Sequence, residues 1–212
     1  MKIFLDSSRI EEARKWMPVI EGATTNPSIL LKEGTASIYE FCKMLEPKPV
    51  SIEACGDFIT DARKYSKEIP NAVVKIPLLN TEGGNNLSLI KQLSKEGIKI
   101  NCTALMSLSQ VILATKAGAR YVSLFAGRVD DEGGDYYQMI ADCVDFLNGE
   151  GTETELIVGS IRTVGNVLDA VRAGAHIVTI PPDILGKMLI HRYSLETVRQ
   201  FETDNAKLRA TK

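Results

Sequence analysis

The feature that most limits what this chain can fold into is a rhythm. A short apolar run is followed by a segment with hydrophobic residues three and four apart, and the pair recurs about eight times. Ile3-Phe-Leu5 precedes Ile10, Ala13 and Met17, with Ser8-Arg-Ile-Glu11 matching a capping box between them. Val19-Ile-Glu-Gly-Ala-Thr-Thr-Asn26-Pro27 precedes Ile38, Phe41, Cys42 and Leu45. Val50-Ser-Ile-Glu53 precedes Phe58, Ala62, Tyr65 and Ile69, and Ala72-Val-Val-Lys75-Ile precedes Leu87, Ile90 and Leu93. Ile98-Lys-Ile-Asn101-Cys-Thr103 is followed by Leu108, Val111 and Ile112. Tyr121-Val-Ser123-Leu-Phe125 leads through a Gly/Asp-rich loop, Gly127 to Asp135, into Tyr136, Met139, Ile140, Cys143, Val144 and Leu147. Leu156-Ile-Val-Gly-Ser160-Ile precedes Val164, Val167, Leu168 and Val171. Ile177-Val-Thr-Ile180 comes last, before helical segments from about Asp183 to Met188 and from Leu195 onward.

Strand then helix at even spacing predicts an α/β chain, a (β/α)8 TIM barrel. The expected layout is one barrel domain over residues 1–212, with a C-terminal helical extension at about 194–212. Lys116-Ala-Gly118-Ala and Arg172-Ala-Gly174-Ala echo each other, each placing a glycine where a helix must stop. A doubly wound sheet is the alternative, disfavoured by the regular repetition and by the lack of a GxGxxG after the first strand.

Composition narrows the chemistry. A net charge of −2 gives no reason to propose nucleic acid or an anionic membrane as a partner. Cys42, Cys55, Cys102 and Cys143 form no CxxC pair and lie far from His176 and His191, which argues against a structural zinc and suits a reducing cytoplasm. Met1-Lys-Ile-Phe-Leu-Asp6 carries no signal-peptide pattern, so a cytoplasmic location is expected.

Within Asn71-Ala-Val-Val-Lys75-Ile-Pro77 a lysine sits at the end of an apolar run. Lysine is rarely buried without a partner, so this one needs a reason. Burial takes proton affinity from an ammonium and can expose a nucleophilic amine. A strand-end lysine snorkelling to water, or answering a carboxylate, is an equally good reading of that stretch alone. The other strand ends tip the balance, because Asp6, Asn26, Glu53, Asn101, Thr103, Ser123 and Ser160 all fall at or near them, on the barrel face where sites are built. Alternation puts Glu53 in phase with Ser51, Lys75 with Val73 and Thr103 with Asn101. Each has a dull explanation: Asp6 a cap, Asn26-Pro27-Ser28 a turn, Glu53 an ion-pair partner for Lys75, Arg128 and Arg162 answers to Asp130 or Asp131. His176, at the start of the last strand, reads as structural.

Taken together, Phe4-Leu-Asp6-Ser, Thr24-Thr-Asn26-Pro-Ser28, Ser51-Ile-Glu53, Val74-Lys75-Ile-Pro77, Asn101-Cys-Thr103, Ser123-Leu-Phe125-Ala-Gly-Arg128 and Ser160-Ile-Arg162 resemble the small-subunit transaldolase family, which includes the fructose-6-phosphate aldolases. The resemblance spans nearly the whole chain. It implies that Lys75 forms a Schiff base with a ketose phosphate such as fructose 6-phosphate or sedoheptulose 7-phosphate, with no cofactor and no metal. Asp6 would take the C4 hydroxyl proton, and Glu53 and Thr103 would hold a water that shuttles protons. Asn26, Asn101, Ser123 and Phe125 would face the dihydroxyacetone unit, and Arg128, Ser160 and Arg162 the phosphate. Glu53 and Phe125 match the transaldolase branch, where the aldolase branch has Gln and Tyr. The resemblance thus implies transfer to an aldose phosphate, a pentose phosphate pathway reaction, with release of free dihydroxyacetone, or a non-catalytic phosphosugar-binding barrel, as alternatives. It also implies a homo-oligomer, pentamer or decamer, whose C-terminal helix crosses to a neighbour. Leu124 stands where proline is usual, Met106 where a bulkier residue is common, and Asn80 to Asn86 is longer than expected.

Overall fold

The computed structural model describes residues 1–34 and 37–210, so the last two positions of the expected tail, 211 and 212, lie outside the described residues. Eight parallel strands close into a barrel in sequence order. They are β1 (Lys2–Asp6), β2 (Gly22–Thr24), β3 (Val50–Glu53), β4 (Ala72–Pro77), β5 (Ile100–Leu105), β6 (Tyr121–Phe125), β7 (Glu155–Gly159) and β8 (Ile177–Ile180). The helices are α1 (Ile10–Trp16), α2 (Pro27–Glu33), α3 (Ile38–Leu45), α4 (Phe58–Glu68), α5 (Leu87–Lys95), α6 (Leu108–Lys116), α7 (Ala126–Asp131), α8 (Tyr136–Glu150), α9 (Val164–Arg172), α10 (Pro182–Leu189) and α11 (Arg192–Ala210). The expected (β/α)8 barrel with a C-terminal helix is what the chain forms.

Strand alternation sorts the side chains into two cores. One phase, with Leu5, Ile52, Val74, Ile76, Ile100, Val122, Leu124, Leu156, Val158 and Val178, faces the helices and forms the main core with Phe41, Leu45, Ile90, Leu93, Ile140 and Leu147. Each such side chain withdrawn from water contributes about 1.5–3 kcal/mol before entropy is charged against it. The opposite phase points into the barrel and splits by height. Phe4, Val73, Tyr121, Ile157 and Ile177 fill its lower half as a separate apolar cluster. Gly22 belongs there because a Cβ at that position would lie 2.6 Å from the Phe4 ring. Two residues further along the strands the interior turns polar: Asp6, Thr24, Glu53, Lys75, Asn101, Thr103, Ser123 and Thr179. The register pairs Glu53 with Lys75 and Lys75 with Asn101, so these side chains sit side by side.

Two local expectations, the Gly127 to Asp135 loop and the Ser8 cap, are corrected, and the plain-turn alternative for Asn26-Pro27-Ser28 is replaced by a helix start. Asn26-Pro27-Ser28 is a helix start: Asn26 Oδ1 accepts the Ile29 N–H at 2.9 Å, Pro27 occupies the first turn and α2 follows. The segment Gly127 to Asp135 opens with helix α7. Ser8 does not cap α1, whose N-cap is Arg9 with no side-chain cap; its N–H and hydroxyl go instead to Glu33. His176 is structural as expected, its Nδ1 accepting the Leu156 N–H at 3.1 Å, and burial holds its imidazole below the usual range. Among the described residues no helix is long and apolar enough to cross a membrane.

Candidate active site

The polar upper layer opens into a cleft of about 170 Å³ at the C-terminal ends of the strands, lined by Asp6, Thr24, Asn26, Lys75, Ser123, Phe125, Arg128, Ser160 and Thr179, with Gly159 at its edge. At its floor Lys75, 4% exposed, donates from Nζ to the Thr25 carbonyl at 2.8 Å and lies 3.3 Å from Glu53 Oε2. A buried amine is therefore held between a carbonyl and a carboxylate, with one side toward the cleft.

Asp6 ends β1. Burial pushes its carboxyl above the usual range, while the Thr24 hydroxyl, donating to Oδ1 at 2.8 Å, and the nearby Lys75 pull it down. Because Thr24 spends its hydrogen on Asp6, the 2.5 Å contact between Thr24 and Thr179 has Thr179 as donor. The result is a short proton-ordered chain ending at a carboxylate of raised basicity.

On the opposite wall, Asn101 is fully buried. Its Nδ2 donates to Ser51 Oγ at 3.0 Å and its Oδ1 accepts from Ser123 Oγ at 2.7 Å. Asn101 thus lies behind Ser123 and fixes that hydroxyl. Thr103, 2% exposed, has an Oγ1 with no hydrogen-bond partner among the described residues. A buried hydroxyl left unpaired costs about 1–3 kcal/mol, so a site of this kind suits an ordered water. Beside it the β5–β6 register shifts between Cys102 and Leu105, and Ala104 takes a left-handed φ of 59°.

At the far end Arg128 on α7 and Ser160 after β7 line the cleft. Ser160 has φ 61°, a conformation that costs a non-glycine residue about 1–3 kcal/mol and is kept where the surroundings demand it. Gly127 is that surrounding: a Cβ there would lie 2.2 Å from the Ser160 carbonyl oxygen. Arg162 does not line the cleft; its guanidinium grips both oxygens of Asp131, with Nη2 2.6 Å from Oδ2. The structure therefore gathers Asp6, Asn26, Lys75, Ser123, Phe125, Arg128 and Ser160 in one cleft. Glu53 touches Lys75, Asn101 stands behind Ser123, and Arg162 is set to one side. Sequence reasoning missed Thr24 and Thr179 as interior groups, although each occupies the inward phase of its strand, and it missed Gly127.

Facing an amine with a nearby carboxylate, a second carboxylate of raised basicity and an arginine–serine pair at the far end, an anionic carbonyl compound could be held and its bonds broken by imine chemistry. The family model for transaldolase/fructose-6-phosphate aldolase matches residues 3–212. A protein named "Probable transaldolase" from Streptococcus equi subsp. zooepidemicus is 40% identical over 213 residues, covering 96% of this chain and 97% of its own. Proteins of the same name from Methanococcus maripaludis and Symbiobacterium thermophilum are 39% and 37% identical, each over 96% of this chain.

Proposed function

Because this chain belongs to the transaldolase/fructose-6-phosphate aldolase family, we propose that it is a transaldolase that moves a dihydroxyacetone unit from a ketose phosphate, fructose 6-phosphate or sedoheptulose 7-phosphate, to an aldose phosphate. The observation that carries the reading is the buried Lys75 amine, set between Glu53 and the Thr25 carbonyl at the floor of a cleft that also contains Asp6.

Lys75 Nζ adds to the ketose C2, and loss of water leaves an iminium. Glu53, with a water held at the unpaired Thr103 hydroxyl, moves the protons of that step. Asp6 then takes the proton of the C4 hydroxyl as C3–C4 breaks. The bonding pair flows into the iminium to give an enamine, and the shortened aldose phosphate leaves. An acceptor aldehyde reverses the sequence: enamine C3 attacks it, Asp6 returns its proton to the new alkoxide, and hydrolysis frees Lys75. A carboxylate made more basic by burial suits this exchange because it is the better proton acceptor. Asn26 offers its amide NH2 to the donor hydroxyls, since its Oδ1 serves Ile29, and Ser123 offers a hydroxyl oriented by Asn101. Arg128 and Ser160 bind the phosphate first; Arg162 joins by sharing its guanidinium with Asp131. Phe125 keeps a phenol away from the enamine, favouring transfer over release. We also assign the exposed apolar residues of α11, Tyr193, Leu195, Val198, Phe201 and Leu208, to a homo-oligomer contact, tested by native mass.

The test is intact mass after borohydride reduction, with fructose 6-phosphate alone and then with erythrose 4-phosphate. A dihydroxyacetone-sized adduct on Lys75 that disappears with acceptor is expected. Its absence under both conditions removes the mechanism.

A further inference from the structure

Glu33, in the last turn of α2, is a largely buried carboxylate that no step above uses. Its oxygens gather donors from the two residues that follow Asp6. Ser7 Oγ approaches them at 2.9 and 3.1 Å, the Ser8 N–H reaches Oε2 at 2.8 Å and Ser8 Oγ the same atom at 2.9 Å. Arg9 Nε stands 3.7 Å away, and the Arg9 N–H closes the turn on Ser7 Oγ at 3.1 Å. Both serines are fully buried. An ionised carboxylate has about four acceptor positions, and this one takes three donors, the Ser7 hydroxyl and the Ser8 N–H and hydroxyl, from a single loop.

The loop needs such a clamp. Strand pairing ends at Asp6, and α1 begins at Ile10 with no side-chain cap. Leaving Ser7 and Ser8 free would cost their ordering entropy each time Asp6 had to be aimed. The other end of the same helix is Asn26, which lines the cleft. Helix α2 is therefore a two-turn strut with one end in the cleft and the other fastened to the loop that carries Asp6.

We propose that Glu33 is a positioning residue for the C–C bond-breaking step: through Ser7 and Ser8 it fixes the Asp6 carboxylate against the substrate C4 hydroxyl, and α2 couples that placement to Asn26. The proposal rests on Asp6 being the proton acceptor, as above. It does not touch imine formation, which belongs to Lys75 and Glu53 on β4 and β3. Glu33 also places a negative charge near Asp6, opposing ionisation there, while Lys75 on β4 favours it. The remaining charges that line the two clefts meeting at Asp6 are Arg9, Lys32, Arg128 and Asp183.

The experiment uses the full-length chain with fructose 6-phosphate and erythrose 4-phosphate. In Glu33→Ala, kcat should fall about 10–100-fold, the cost of misplacing a reacting group by roughly an ångström. Borohydride should still trap an imine to the wild-type extent, but as the uncleaved hexose phosphate adduct in place of the dihydroxyacetone one. Glu33→Gln, which keeps an acceptor oxygen, should recover most of kcat and move the acid limb of kcat/KM to lower pH. Wild-type kcat in Glu33→Ala, or imine and kcat lost together, overturns the proposal. Should the alanine variant fail to fold, Glu33→Gln decides alone, and an acid limb in its wild-type place overturns it. A wild-type chain that traps no adduct removes the transaldolase reading and this proposal with it, whereas normal wild-type trapping with undisturbed variants removes this proposal alone.

Discussion

Replacing Gly127 with alanine asks one methyl group to enter the turn that shapes the Arg128–Ser160 end of the cleft, the proposed phosphate site. The new Cβ would stand 2.2 Å from the Ser160 carbonyl oxygen and 2.9 Å from its Oγ, so the nearer contact falls 1.2 Å short of the 3.4 Å at which ordinary contact begins. The obstacle is backbone, and that backbone is already held at φ 61°, so it cannot yield by rotating a side chain. Alanine is the better helix former by up to about 1 kcal/mol, but overpacking of this kind costs about 1–3 kcal/mol and the excess goes into moving Ser160. A hydrogen bond to a charged group contributes about 1.5–3 kcal/mol, so losing the one from Ser160 should raise KM for fructose 6-phosphate about 10–100-fold. Imine trapping with dihydroxyacetone, which has no phosphate, should match wild type. The assay is steady-state kinetics beside borohydride trapping. An unchanged KM for fructose 6-phosphate refutes the steric argument, and equal losses with both compounds would show that the barrel mouth as a whole had moved.

Lys75→Ala should abolish turnover and adduct formation while leaving the far-UV circular dichroism intact. It should also destabilise the chain by about 1–3 kcal/mol in urea, because Glu53 and the Thr25 carbonyl lose their partner; a variant that does not fold would mark the lysine as structural. Asp6→Asn should lose C–C cleavage yet gain stability at neutral pH. A buried carboxyl whose pKa is raised favours the folded state only while protonated, and that contribution is lost as pH rises through the raised value. Thermal melts should therefore show the variant ahead at pH 7 by about 2–4 °C for each kcal/mol regained, with the gap closing in acid. The same titration predicts that wild-type kcat/KM falls as acid protonates Asp6. Phe125→Tyr should raise the release of free dihydroxyacetone several-fold when no acceptor is present, measured by a coupled triose assay; no change would place the branch distinction elsewhere.

The barrel was legible because its information is periodic. Alternation along Ser51-Ile-Glu53 and Val73-Val-Lys75 sends apolar residues to the helices and polar ones inward, whatever the turns do. Lys75 and Asp6 could be found because each breaks an apolar run. What escaped notice depends on contacts distant in sequence. Ser8-Arg-Ile-Glu11 has the spacing of a capping box, yet the serine is taken by Glu33, 25 residues on. For Arg162 the sequence offered both a phosphate and Asp130 or Asp131 as partners, and only the fold shows Asp131 in its fork. The left-handed turns at Ala104 and Ser160 have no residue signature, since neither is the glycine or asparagine that announces such a conformation. Helix α2 is a different case: Asn26-Pro27 is a standard helix start, although the sequence offered a plain turn there as the alternative to a substrate contact.

The apolar plug of Phe4, Val73, Tyr121, Ile157 and Ile177 closes the lower half of the barrel, so the cleft above it is a cul-de-sac that opens only at the strands' C-terminal face. Under the proposed transfer reaction, traffic must then take turns: the first aldose phosphate has to leave by the opening through which the second will arrive. Such a site enforces an alternating order of binding and release, in which each aldose competes with the other for the loaded enzyme. Parallel double-reciprocal lines, and inhibition by excess acceptor occupying the empty chamber, are the kinetic shadow of five side chains that never meet the substrate.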